Sequence, residues 1–179
     1  MTGPESETHV NVDFRGVHSA LTLPAGAQPM TFDPDVRSAR DAWVLPGGVG
    51  AVCDVLVVDR AEPHPIDLAV GTLVHEYEVR DKAEVRNVAR LRIEGASDAR
   101  GFALVTPRGA DVVEHRVIAG ASPTAVPGRV AVLQLSWQTV GDTSTDAHGA
   151  TVDAVLRGWR LGPERPVDGQ DTGTSTTAP

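Results

Sequence analysis

The chain is short of several residue types, and each shortage closes a line of inquiry. Cys53 is its single cysteine, so no disulfide can form within the 179 residues. Lysine is as scarce: of 16 basic residues only Lys82 is a lysine and the other 15 are arginines. With only Asn11 and Asn87 as asparagines, this is the accent of a GC-rich genome and not a phosphate-binding signature. No uncharged run, Ala42 to Cys53 included, approaches the ~18 apolar residues that a membrane-spanning helix needs. The opening Met1 to Glu7 has neither the basic start nor the apolar stretch of an export leader, which leads us to expect a soluble, cytoplasmic protein. Positive charge is in deficit, with a net charge of −8 and a pI near 5.1. Acidity spread along the whole chain argues against a general nucleic-acid binder, because affinity for phosphates comes from clustered positive charge.

What is present suits one globular domain, with 41% hydrophobic and 22% charged residues. Residues 1–10 and 164–179 are polar enough to be read as disordered ends, leaving a single domain over 11–163. Val17, Ser19, Leu21 and Leu23 alternate as in a strand. Residues 49–59 alternate with both faces apolar, and 84–94 alternate most cleanly of all. Further strands are expected at 99–106, 111–119 and 129–140, and their short turns imply an antiparallel meander. Two segments change to helical spacing. Val70, Leu73, Val74 and Tyr77 form one stripe, with Asp67 as the expected cap. Val152, Val155, Leu156 and Trp159 form another, opened by Ser144, Thr145 or Asp146 and closed by Gly162-Pro163. The expected class is α+β, an antiparallel sheet packed by helices.

The order of elements resembles a known superfamily. An early strand ending Leu21-Thr22-Leu23-Pro24, a strand carrying Trp43, a long apolar strand, a helix, the meander and a closing helix Ala150 to Leu161 are similar to the PsbP-like α/β/α sandwich. That superfamily includes the photosystem extrinsic protein, a Ran-binding import factor, LpqN-type lipoproteins and secretion-effector chaperones. The resemblance covers residues 14–162 and implies a mostly non-catalytic domain that works by binding other proteins.

The search for chemistry returns little. Pro46-Gly47-Gly48-Val49-Gly50 precedes a strand instead of opening a helix, so it reads as a turn and not a phosphate loop. Asp171-Thr172-Gly173 has the aspartic-protease tripeptide but polar flanks. His75 and Glu78 share a helix face, yet no second pair has metal-ligand spacing. His115 and Glu114 are neighbours on a strand and point to opposite faces. His64 sits between two prolines, and His9, His18 and His148 have no partner legible in the sequence. There is no Gly-x-Ser-x-Gly elbow. Cys53 reads as a buried, inert thiol. Asp54, alone in an apolar strand, is the one carboxylate placed for general acid or base work if it is buried.

The more promising feature is an arginine stripe. On a regular strand Arg86, Arg90 and Arg92 share one face, with Arg100 across the hairpin, and guanidiniums so arrayed can grip carboxylates or phosphates. Gln134, Ser136 and Gln138 form a second polar patch. We therefore expect no enzyme, no cofactor and no metal. The expectation is instead an adaptor or chaperone that binds another protein through a partly open sheet face carrying Arg86, Arg90, Arg92 and Arg100. An edge strand open to pairing with a second copy is part of that expectation. The alternative is a small-ligand or lipid-binding domain with an apolar cavity lined by Val70, Tyr77 and Trp159.

Overall fold

The computed structural model describes residues 6–31, 41–139 and 146–162. In chain order the elements are β1 (Thr8–Phe14), β2 (Val17–Leu23), β3 (Gln28–Pro29), β4 (Asp41–Leu45), β5 (Val49–Val57), α1 (Pro65–Arg80), β6 (Glu84–Arg90), β7 (Asp98–Arg108), β8 (Asp111–Ala121), β9 (Arg129–Thr139), α2 (Asp146–Gly158) and β10 (Arg160–Leu161). Seven strands form one antiparallel sheet in the order β3-β4-β5-β9-β8-β7-β6, and β1-β2-β10 form a second, smaller one. The expected meander is β6 to β9, and the α+β class holds. β1 begins at Thr8, inside the ten residues that the sequence reading left out of the domain. The tail 164–179, the tripeptide Asp171-Thr172-Gly173, and Ser144, Thr145 and Pro163 lie outside the described residues.

Each face of the large sheet has its own cover. On one side α1 places Ile66, Ala69, Val70 and Tyr77 on Phe102, Leu104, Val117 and Val132. On the other, α2 and the small sheet bring Val152, Val155, Trp159, Leu21 and Leu23 onto Val49, Ala51, Cys53, Leu133 and Leu135. β5 records the difference residue by residue: Val49, Ala51, Cys53 and Val55 are buried, while Val52, Asp54 and Leu56 on the α1 side are half-buried.

Local details depart from the sequence reading for identifiable reasons. Pro65 takes the first helical position of α1, because its missing N–H costs nothing there and its ring presets φ. The cap position therefore falls on His64, and Asp67 lies within the first turn. The last turn of α1 is closed by Asp81 and Ala83, both donating N–H to the Tyr77 carbonyl, with Lys82 left-handed at φ 53°. The run Pro46–Gly48 is a 3₁₀ turn leading into β5, as expected of a plain turn.

Cys53 is buried, and that burial, together with the nearby Asp41 and Asp54 carboxylates, pushes its thiol far up from the ordinary value. The thiolate is the reactive form. Native protein should therefore resist a thiol reagent such as iodoacetamide, and the modification should appear only on unfolding. Rapid labelling of folded protein would show that β5 opens locally.

Candidate functional site

The arginine stripe does not survive folding. Arg86 pairs with Ala103 and Ala89 pairs with Gly101, so Asn87 and Val88 together oppose the single residue Phe102. This is a β-bulge, with Asn87 left-handed at φ 54°. An extra residue reverses the alternation beyond it. Arg86 therefore points to the α2 side of the sheet, and Arg90, opposite Arg100, points to the α1 side.

Arg100 is not available to a partner either. It is buried, donates to Asp98 and to the Ala99 carbonyl, and reaches Asp67 of α1 at 3.3 Å. It fastens the first turn of α1 to β7. Arg86 chelates its strand neighbour Glu84 at 2.9 and 2.8 Å, an exposed pair of little energetic weight. Arg92 lies past the end of β6, on the wall of a groove.

That groove runs beside α2. α2 and the small sheet cover β5 and β9, and on the α2 side of β7 and β8 Ala99, Gly101, Ala103 and Ile118 are buried too, whereas Leu91, Arg92 and Arg116 are exposed. Two adjoining hollows of about 620 and 240 Å³ lie there, both lined by Leu91, Ile118 and Leu156. Ala103 and Gly101 supply a low floor between β6 and β8. Arg92, Arg116 and Arg157 stand at the walls with Glu94 and Asp153, a local positive excess of one (3 − 2) on a chain of net charge −8. Sequence reading reached Arg92 but missed Arg116 and Arg157, which come from β8 and α2 and meet Arg92 only in the folded chain.

A second concavity lies across the sheet, under the C-terminal half of α1. It measures about 310 Å³ and is walled by Leu73, Glu76, Tyr77 and Arg80 at helical spacing, by Val52, Asp54 and Leu56 of β5, and by Val132, Gln134 and His115. Its polar groups form one chain. The Tyr77 hydroxyl donates to Gln134 Oε1 at 2.5 Å, and Gln134 Nε2 donates to His115 Nδ1 at 3.3 Å. His115 Nε2 in turn donates to Thr106 Oγ1 at 3.0 Å, and that hydroxyl donates to the Val113 carbonyl at 3.3 Å. Only a neutral imidazole with its proton on Nε2 satisfies this sequence of bonds. Burial acts in the same direction, pushing His115 below its ordinary value, with the Asp81 carboxylate opposing. Asp54 is half-buried in the same wall and accepts the Val55 N–H at 2.8 Å.

The remaining sequence candidates stay apart. His75 and Glu78 are both exposed, and among the described residues no group of three His, Cys, Asp or Glu side chains is placed to hold a metal. Val70 and Tyr77 belong to the core under α1 and Trp159 to the core under α2, so the apolar cavity expected from these three cannot exist. Of the polar patch on β9, Gln134 enters the cleft network and Gln138 is tied to Asp111.

No sequence family and no curated protein matches the chain. Its fold is nevertheless similar to that of cyanobacterial PsbP (CyanoP) from Synechocystis sp. PCC 6803. The TM-score is 0.62 with 12% identity, over 89% of this chain and 95% of that one. It is also similar to LpqN, involved in cell envelope biogenesis of Mycobacterium tuberculosis, at a TM-score of 0.53 and 12% identity over 88% and 92% of the two chains. These neighbours overturn the cytoplasmic expectation. One of them, LpqN, is involved in cell envelope biogenesis, so the fold gives no support to a cytoplasmic location. The polar opening Met1 to Glu7, on which that expectation rested, is silent on where the protein works. With the two helices of its described residues, its antiparallel strand order and these two neighbours, the chain has the PsbP-like fold.

Proposed function

We propose that this chain is a non-catalytic binding domain, working outside the cytoplasm, that holds an amphipathic, acidic segment of another protein in the groove on the α2 side of β6 to β8. The supporting observation is the pair of adjoining hollows beside α2. Leu91 and Leu156, over the buried Ile118, offer apolar surface there, and Arg92, Arg116 and Arg157 offer bidentate partners for carboxylates. Edge pairing with a second copy is the less favoured mode at β6, since the edge is short, bulged and charged by Glu84, Arg86 and Arg90.

The test is to capture the partner by cross-linking in the native host, purify it and measure its affinity for folded variants. Charge reversal at Arg92 and Arg116 together should weaken binding by roughly tenfold to a hundredfold. Arg90→Glu, on the opposite face, should leave it unchanged. Equal losses at both places, or none at Arg92 and Arg116, would sink the assignment of this groove.

A further inference from the structure

The groove leaves the small sheet unused, and that sheet carries the longest regular edge among the described residues. The large sheet ends on one side in β3, two residues long, and on the other in the bulged and charged β6. β10 is no longer than β3. β1, by contrast, runs for seven residues in unbroken register with β2, and no described strand pairs with its outer side. A regular strand paired on one side only is a template for another chain. Its side chains divide cleanly between two faces. Val10, Val12 and Phe14 turn to the core under α2, where Val10 and Phe14 are only half-buried, whereas His9, Asn11 and Asp13 are exposed on the other face.

The residues of this edge fit a second copy of themselves. Antiparallel pairing about a two-fold axis normal to the sheet keeps the apolar faces of both copies on one side, provided that His9, Asn11 and Asp13 meet one another and Val10, Val12 and Phe14 stay on the opposite face. In the register centred on Asn11 all seven residues of β1 are matched. His9 meets the partner's Asp13, Val10 the partner's Val12 and Thr8 the partner's Phe14, each twice by symmetry. Glu7 and Arg15, just beyond the two ends of the strand, fall opposite one another in the same way. A shift of two residues in one direction sets Glu7 against Asp13, two acids, and in the other sets His9 against Arg15, two bases. Opposite charges across a strand pair stabilise it and like charges oppose it, so one register is favoured over its neighbours. The atoms for the central rung are present. His9 Nδ1 is hydrogen-bonded to Thr22 Oγ1 at 3.0 Å and Asp13 Oδ1 is bonded to His18, which leaves Nε2 of the first and Oδ2 of the second to meet across the axis.

We propose that β1 is a self-association edge, at which two copies of the chain pair antiparallel about Asn11 and join their three-stranded sheets into one of six, with His9 facing the partner's Asp13 on both sides of the axis. A ladder of seven residues is a small interface, so the dimer forms at high concentration and dissociates on dilution. β1 lines neither hollow of the protein-binding groove, so this assignment and that one can fail separately.

The experiment is sedimentation velocity on the full chain at neutral pH, from about 5 to about 500 μM, over which the monomer should give way to a dimer. His9→Glu and Asp13→Lys, both at exposed positions, should each weaken the dimer by roughly tenfold. An equimolar mixture of the two variants should restore it, because every reversed residue then meets an opposite charge. Mild oxidation reads the register directly. Facing Cα atoms of an antiparallel pair lie about 4.5–5.5 Å apart, within reach of a disulfide, so Asn11→Cys should cross-link to its own copy. Thr8→Cys, about 20 Å from its copy in this register, should not, and the buried Cys53 contributes to neither. A monomer at every concentration, a dimer indifferent to both charge reversals, or cross-linking of Thr8→Cys as readily as Asn11→Cys would overturn the proposal.

Discussion

Gly95→Ala is expected to cost about 3 kcal/mol and to lower the melting temperature by roughly 10 °C. Gly95 turns the chain between β6 and β7 with φ 76°, a conformation that costs an L side chain about 1–2 kcal/mol by itself. Space adds to strain. A Cβ built there lies 1.7 Å from the Leu161 carbonyl oxygen and 2.8 Å from its carbon, which are backbone atoms that cannot rotate away. Leu161 is pinned in turn, since its N–H donates to Glu94 at 2.8 Å, it pairs with Ser19 of β2, and its side chain is buried in the core under α2. The alanine must therefore displace β10 or the loop that walls the groove. Gly71, on the exposed face of α1 with nothing near its missing Cβ, is the control. Gly71→Ala should raise stability by about 0.5–1 kcal/mol through helix propensity. Calorimetry on the pair gives the answer, and similar melting temperatures would mean that the turn yields far more readily than its contacts imply.

How much of this was legible in the sequence depends on what each strand buries. β7, β8 and β9 bury whole faces, so their alternation is enforced and their register can be read. β6 is an edge strand on which only Val85 is even half-buried, and the rest is exposed. Its clean alternation of Arg and apolar residues carried no packing constraint, so nothing in the pattern recorded the bulge at Asn87 and Val88 that sends Arg86 and Arg90 to opposite faces. β10 is two residues long and has no period to detect. The cleft network failed to show for another reason. His115 and Gln134 were each visible on their strands, but only the register of β8 against β9 reveals that they share a face, with Thr106 joining from β7.

The two concavities are diagonal to one another. The α2 layer is centred on β5 and β9 and leaves the exposed Leu91, Arg92 and Arg116 at its margin over β6 to β8, whereas α1 packs on β6 to β9 and leaves the β5 side chains Val52, Asp54 and Leu56 half-buried. Two short helices cannot cover a seven-stranded sheet, and a twisted sheet turns its opposite corners out from under its cover. Groove and cleft are the two uncovered corners. This explains why both are lined by short or medium side chains from the sheet and by charged side chains from the borders.

Gln134→Leu should destabilise the protein by about 2–3 kcal/mol, and the loss should be coupled to both of its neighbours. The leucine fills similar space but leaves the Tyr77 hydroxyl and His115 Nδ1 without the partners they now hold through this amide. In a double-mutant cycle, Tyr77→Phe should therefore cost distinctly less in the Gln134→Leu background than alone. The pH dependence has a definite sign. His115 sits below its ordinary value of 6.5 in the folded chain, chiefly because it is buried. At pH values well above 6.5 both folded and unfolded states hold it neutral, so it contributes no slope there. As pH falls below that point the unfolded chain takes up a proton that the native state refuses, and stability is lost until the folded value is passed. Denaturant midpoints compared at about pH 7.5 and about pH 5.5 should show this loss in the wild type and a smaller one in His115→Gln. In Gln134→Leu the loss should also shrink, because an Nδ1 released from the amide N–H accepts a proton more readily. If all three proteins lose the same stability over that interval, then His115 does not titrate from inside the network, and the neutral tautomer read from its hydrogen bonds is wrong.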